Sequence, residues 1–514
     1  MNELVAGAEA VGSRSRNLVL TAMIFAVSMT FIDQTIVSIA APTIQHELGL
    51  TSTGIQWAIN AYLLTLAALF AFGGRLADTM GHARMVVIGV IVFAGASALC
   101  GFTPKSGIAE AWLIAFRALQ GVGAALMFPA AIAIVVQTFP LRSRGRALAL
   151  FFGIAGGLTA LGPTLGGFLT QWTWRAIFWV NVPVAVIALV LTYVARPVTD
   201  YKRAPIDYRG LVLIAGGVGL SVLGFQQASN WGWTSAATIG CIVAGVVLLA
   251  VFYRVEQRTK TPLIQVSIFR IRPFFVENLV LGLAAVAFIP TFFFASEYAE
   301  ISLAKSASQA SLVLLYFFLG FVVASQIGGR MLDRTGAKRP VVLGCALAAA
   351  GYLLWASKVT DLSLSKQVWY VVLAGAGMGL MLGPASTDAV NRASRLTYGE
   401  ASGITQTVRN YAASLGIAIL GTLLVNEMRT RTTQSLVALG EPHARAAAQA
   451  EKLAQSQGGS GGTIPAFVRL DFAHATHTVL VVMGGVMIAA AAVALVGLRR
   501  GVQEETDSAA RSAV

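Results

Sequence analysis

Apolar stretches of about 18 residues or more recur from one end of this 514-residue chain to the other, parted by short polar turns. Each is long enough to cross a bilayer as a helix, since the hydrocarbon core is about 30 Å thick and a helix rises about 1.5 Å per residue. In lipid every backbone polar group must be paired within its own helix or within a closed barrel. A barrel reads as short alternating segments, which this chain does not show. The expected fold class is therefore an all-α polytopic membrane protein. With 56% hydrophobic and 12% charged residues, there are too few charges to cover a water-soluble surface.

Fourteen spans are expected, near residues 18–40, 54–74, 84–102, 110–138, 147–169, 176–195, 210–227, 236–253, 274–296, 309–329, 340–357, 367–388, 401–424 and 475–498. The first lacks a small-residue cleavage site and reads as a retained helix. Basic residues set the orientation, because cytoplasmic loops collect Lys and Arg. With the N-terminus cytoplasmic, 25 of the 37 basic residues fall in cytoplasmic segments and 10 in outer ones. Five of those 10 lie in one long outer loop, about 425–474. Both termini are thus expected inside. The net charge of +14 is topological, with contact to anionic lipid as a by-product; no nucleic-acid partner is expected. In the long loop "EPHARAAAQAEKLAQ" suits a surface helix, followed by a flexible Gly/Ser stretch.

A repeat runs through the chain. "GGRLADTMGHAR" (73–84) and "GGRMLDRTGAKR" (328–339) match at an offset of 255, which carries Gly74, Asp78, Gly81 and Arg84 onto Gly329, Asp333, Gly336 and Arg339. The same offset carries Pro129 onto Pro384. Each motif ends a span and enters a cytoplasmic loop. The second copy comes two spans later than a plain six-helix repeat requires, so two helices are inserted between the halves. Parallel six-helix repeats around a central site are one transporter architecture. The expected organisation is a cytoplasmic segment 1–17, an N-terminal six-helix bundle 18–195, a linker with two inserted helices 196–273, a C-terminal bundle 274–498 and a cytoplasmic tail 499–514.

These motifs resemble the major facilitator superfamily, in its fourteen-helix drug:proton antiporter branch (EmrB/QacA type). The likeness covers about residues 18–498. "FIDQTIVSIAAPTI" resembles the branch's first-helix motif, the two Gly-Arg segments its loop motif, and "RALQGVGAALMFPA" its fourth-helix motif. "LGPTLGGFLTQWTWRAIFWVNVP", with Gly162, Pro163, Gly166 and Gly167, resembles its fifth-helix antiporter signature and the start of the sixth, and "TPLIQVSIFRIRPF" its linker. Two departures stand out. Thr79, His82 and Ala83 occupy places that are usually basic in the first loop motif, which thins its charge network, and Leu158 replaces a usual glycine. The resemblance implies two six-helix bundles plus two inserted helices, a multi-pass protein of the bacterial cytoplasmic membrane, and a monomer working with protons and a small amphiphilic substrate.

Asp33 is the residue most in need of a reason. An ionised group at mid-membrane costs about 2.5–3.5 kcal/mol on insertion scales, so it faces the bundle interior and a partner. Arg117 is the natural partner: each lies about seven residues from the outer end of its span, roughly 10 Å deep at 1.5 Å per residue. An embedded carboxylate is pushed toward its neutral form by desolvation and toward its charged form by a nearby cation. A change in either would load or release a proton. The pair serves proton coupling or helix packing; the resemblance favours coupling. Polar side chains within spans are candidate cavity lining: Asn60, Tyr62, Gln120, Gln226, Gln326, Gln406, Arg409 and Asn410. Each could equally make an interhelical hydrogen bond, and Arg409 could snorkel to the inner interface. The glycines of the fifth span permit close helix approach, and Pro163 a kink. Asp78 and Asp333 are suited to helix N-termini across the half interface.

No nucleophile–base pair, metal-ligand cluster or phosphate-cradling loop appears, so no catalytic residue, metal or cofactor is expected and the chain is not read as an enzyme. Cys100, Cys241 and Cys345 all fall inside apolar runs with no paired spacing. Proton-coupled efflux of amphiphilic drugs or toxic compounds by alternating access is the leading reading. The alternatives are export of an endogenous metabolite or lipid, and a transport-dead receptor or scaffold.

Overall fold

The computed structural model describes the chain apart from residues 1, 51, 159–160, 198–206, 260–261, 263, 265, 306, 393–397, 456–463, 500 and 502–514. The expected Gly/Ser stretch of the outer loop, the start of the linker at 198–206 and nearly all of the tail therefore lie outside the described residues. The described chain is helical, with no strand among those residues. The helices are α1 (Asn2–Leu48), α2 (Ser52–Met80), α3 (His82–Gly101), α4 (Ala109–Thr138), α5 (Leu141–Gly157), α6 (Leu161–Trp172), α7 (Ala176–Trp179), α8 (Asn181–Ala195), α9 (Tyr208–Trp231) and α10 (Ala236–Glu256). After a short 3-10 turn come α11 (Arg272–Ile301), α12 (Ala307–Thr335), α13 (Lys338–Val359), α14 (Leu364–Arg392), α15 (Tyr398–Ala438), α16 (His443–Gln455) and α17 (Ala466–Gly497).

Thirteen stretches among the described residues are long and apolar enough to cross a membrane. The fourteenth expected span, 147–169, is a single apolar run in sequence but falls on two shorter helices, α5 and α6. Residues 159–160 between them lie outside the described residues, so the count of thirteen is consistent with the expected fourteen. From residue 2 on, the expected N-terminal segment 1–17 continues helically into the first span. The surface helix expected in the long loop is α16; it buries Ala446 and Ala450 and ties Glu451 to Arg429 of α15 at 3.0 Å.

The internal repeat is visible as repeated packing. α2 packs on α4 as α12 packs on α14, α3 on α4 as α13 on α14, and α1 on α8 as α11 on α17. A Cβ on Gly89 would strike Gly123 and Met127, as one on Gly344 would strike Gly377 and Met381. That contact corrects the alignment by one residue. α3 maps onto α13 at 255, whereas α4 maps onto α14 at 254, with one extra residue between Met381 and Pro384. The inserted pair is a hairpin, α9 on α10, and α9 touches both α2 and α15. It therefore lies over the seam between the halves. α10 leaves Ile239, Val243, Val246, Val247 and Val251 exposed, the surface of a helix that meets lipid tails.

Candidate functional site

α1, α2 and α4 meet at Asp33. Arg117 Nη1 donates to Asp33 Oδ2 at 2.5 Å and to Gln120 Oε1 at 2.8 Å, and Gln120 Nε2 donates to Asp33 Oδ1 at 2.8 Å. Arg117 and Gln120 lie three apart on α4, on one face, so one helix grips both carboxylate oxygens. Arg117 Nε donates to the Ala58 carbonyl at 3.2 Å, and the guanidinium carbon sits 4.6 Å from the Tyr62 ring centroid. Asp33, Tyr62 and Gln120 are fully buried and Arg117 is 1% exposed. The charge expected at depth is thus paired, hydrogen-bonded and sealed. Tyr62 and Gln120, expected along a cavity wall, are instead walls of this cluster.

Among the described residues, the second half has no such cluster. The corresponding positions are Ala287 or Phe288, Phe317, Val371 and Ala374, all apolar and buried. Phe288 packs on Phe292, Phe317 and Phe321 with centroids 4.8–6.1 Å apart. One half carries a charge network where its counterpart carries an aromatic one.

α6 closes on α1 beside this cluster. A Cβ on Gly162 would overlap Thr35 Oγ1 and press on the Ile32 carbonyl, on either side of Asp33 in sequence. Gly416 makes the matching approach of α15 to Val286 of α11. Gly166 is buried and its carbonyl accepts from Thr170 Oγ1 at 2.5 Å. Gly167 has open space where its side chain would stand, so the expected close approach holds at Gly162 and not there. The side chain of Pro163 lies outside the described residues.

The loop motifs turn through glycine. Gly81 (φ +100°) and Gly336 (φ +78°) hold left-handed backbone that L side chains rarely adopt. Gly74 and Gly329 are buried, whereas Arg84 and Arg339 are exposed. Asp78 pairs with His82 Nε2 at 2.9 Å, both buried. His82, read from sequence as a departure from the family pattern, is thus a partner of Asp78. Its i+4 spacing was the signal available. Asp333 is half-buried.

Between the halves, Arg144 Nη1 of α5 donates to Asn391 Oδ1 of α14 at 2.8 Å, and Ser325 Oγ of α12 reaches the Ala149 carbonyl at 3.4 Å. These contacts lie toward the end of the bundle that carries the loop motifs, as does that of Gly403 with Phe70 and Ala71. On α15, Arg409 Nη1 donates to Gln406 Oε1 at 3.2 Å, Asn410 Nδ2 donates to the Gln406 carbonyl at 2.8 Å, and the Arg409 guanidinium lies 5.7 Å from the Phe152 ring of α5. Asn60, Gln226 and Gln326 are half-buried on α2, α9 and α12. Outside the spans, Lys105 bonds to Glu47 at 2.9 Å and holds its carboxyl below the usual carboxylate range. That pair is exposed, so it contributes about 0–1 kcal/mol.

Comparison with known proteins places this geometry. The profile described as Major Facilitator Superfamily matches residues 23–210 and 208–417. The Tetracenomycin C resistance and export protein of Streptomyces glaucescens is 33% identical over 512 residues, 96% of this chain and 93% of that protein. The Cephamycin export protein CmcT of Amycolatopsis lactamdurans is 31% identical over 82% of this chain and 88% of its own. Puromycin resistance protein pur8 of Streptomyces alboniger is 32% identical over 79% and 81%. Among solved structures, the proton:xylose symporter XylE covers 96% of this chain and 97% of its own at TM-score 0.60 and 12% identity, a likeness of fold. The repeated halves, the inserted hairpin and these relatives together assign the chain to the major facilitator superfamily, among its drug-resistance and export transporters.

Proposed function

We propose that the protein exports small amphiphilic toxic compounds across the bacterial cytoplasmic membrane in exchange for protons, by alternating access between halves 18–195 and 274–498, with both termini cytoplasmic. The observation that carries the coupling is the sealed Asp33–Arg117–Gln120 cluster, present in one half only among the described residues. An embedded carboxylate that serves packing alone has no need of this asymmetry.

The chemistry follows from the contacts. Protonating Asp33 removes its negative charge and leaves Arg117 as a buried cation. Three neutral groups remain on that cation: the Tyr62 ring, the Ala58 carbonyl and Gln120 Oε1. They make a neutral Asp33 tolerable, so the proton enters without unfolding the site. Water must reach the cluster for this to happen, and α6 closes it at Gly162. Separation of α6 from α1 is therefore the step that opens Asp33 to solvent. The substrate-facing residues are Asn60, Gln226, Gln326, Gln406, Arg409 and Asn410, with Tyr62 and Gln120 behind them.

Relatives named for resistance to antibiotics support efflux. A second reading, a dedicated exporter of one endogenous compound, is favoured by two relatives named for the export of a single compound each. A screen of growth inhibition across antibiotic classes, with and without expression, tests both. Protection against several unrelated classes supports broad efflux; protection against one class supports the dedicated exporter; protection against none contradicts both.

A further inference from the structure

Arg409 stands apart from Arg117, the other basic residue placed inside a span. Asp33 and Arg117 neutralise each other, whereas Arg409 makes no ion pair with any Asp or Glu among the described residues. Its sole side-chain hydrogen bond there is the one to Gln406. Its Nε is buried with no partner. A guanidinium has five donors, and a membrane-embedded one without a counter-charge is costly. The side chain does not run to a helix end: it crosses from α15 of one half toward Phe152 of the other.

Phe152 ends a ladder of rings. Phe31 touches Phe128 at 5.6 Å, Phe128 touches Phe70 at 5.7 Å and Phe151 at 6.4 Å, and Phe151 touches Phe152 at 5.2 Å. An unneutralised cation from one half thus faces Phe152, the end of a largely buried aromatic cluster, from the other.

We propose that Arg409 is the docking point for a negative group on the transported compound, so that the preferred substrates are aromatic acids: planar molecules bearing a carboxylate, sulfonate or phenolate. The guanidinium fork binds such oxygens in its own plane, and the ring system packs beside Phe152. This rests on the efflux reading and adds the sign of the substrate's charge. An anion leaving while a proton enters moves two like-signed contributions through the membrane potential, so export of these acids is driven more strongly than export of neutral compounds.

The test uses two fluorescent probes that differ by one sulfonate, 1-anilinonaphthalene-8-sulfonate and N-phenyl-1-naphthylamine, binding to the full-length protein in nanodiscs. Arg409→Gln is expected to weaken the sulfonate probe about tenfold or more, the worth of a charge-assisted hydrogen bond, and to leave the neutral probe within about twofold. Arg409→Lys is expected to recover part of the loss. Equal weakening of both probes would mean that Arg409 holds the halves together and would overturn the proposal. So would a wild type that binds the neutral probe alone, while leaving the efflux reading intact. Wild type that binds neither probe contradicts both readings. A wild-type sulfonate affinity that collapses in phosphatidylglycerol discs, with no such collapse in Arg409→Gln, would assign the site to lipid headgroups and overturn the substrate assignment.

Discussion

At the scale of single residues, the site depends on how few groups satisfy a buried charge. Asp33 accepts from Arg117 and Gln120, and those two also bond to each other. Gln120→Leu leaves one carboxylate oxygen without its donor and is expected to destabilise the protein by about 1–3 kcal/mol, the cost of an orphaned buried polar group. Thermal unfolding in detergent checks this. Tyr62→Phe is expected to be near neutral in the same measurement, because the ring faces Arg117 and the hydroxyl bond to Thr30 is long, 3.4 Å. A large loss from Tyr62→Phe would show that the hydroxyl matters instead. Asp33 and Arg117 were legible in sequence because helix rise converts position into depth. Gln120 was seen as a polar residue but not as the third member. Its spacing of three from Arg117 puts it on the right face, yet the same spacing suits a cavity wall. His82 was visible only as a departure, since a side chain's partner is a fact of packing.

At the scale of elements, the informative one is the fifth span. Its apolar run is continuous over 147–169. α5 and α6 stand on either side of residues 159–160, which lie outside the described residues, and the glycine density around 156–167 reads in sequence as close approach and a kink. The second half runs the matching α15 unbroken from Tyr398 to Ala438. α6 is held to α1 by close contact at Gly162. Gly162→Val should be strongly disruptive, since even a Cβ overlaps Thr35; overpacking of this kind costs about 1–3 kcal/mol. Gly167→Ala, with open space around it, is expected within about 0.5 kcal/mol of wild type. Melting temperatures of the two variants separate them; equal losses would contradict the placement of α6 on α1.

At the scale of the whole molecule, the repeat and the inserted hairpin were legible from one motif and its offset, because a six-helix repeat leaves no other place for two extra helices. The contacts that join the halves were not, since Arg144–Asn391 pairs residues 247 apart with no shared motif. The basic-loop count makes a direct prediction: with single cysteines in a cysteine-free background, an impermeant thiol reagent on intact cells labels Ala438→Cys and spares Ser143→Cys. The reverse pattern would invert the orientation. Asp33 is the central claim. Asp33→Asn preserves the shape of the side chain and one acceptor for Arg117, so folding and substrate binding should survive while the exchangeable proton is lost. The measurement is substrate accumulation in inside-out vesicles energised by an imposed proton gradient, wild type beside Asp33→Asn. Accumulation against a gradient by wild type and only downhill equilibration by the variant is the predicted result. Uphill accumulation by Asp33→Asn with wild-type pH dependence would contradict it and place the coupling proton elsewhere.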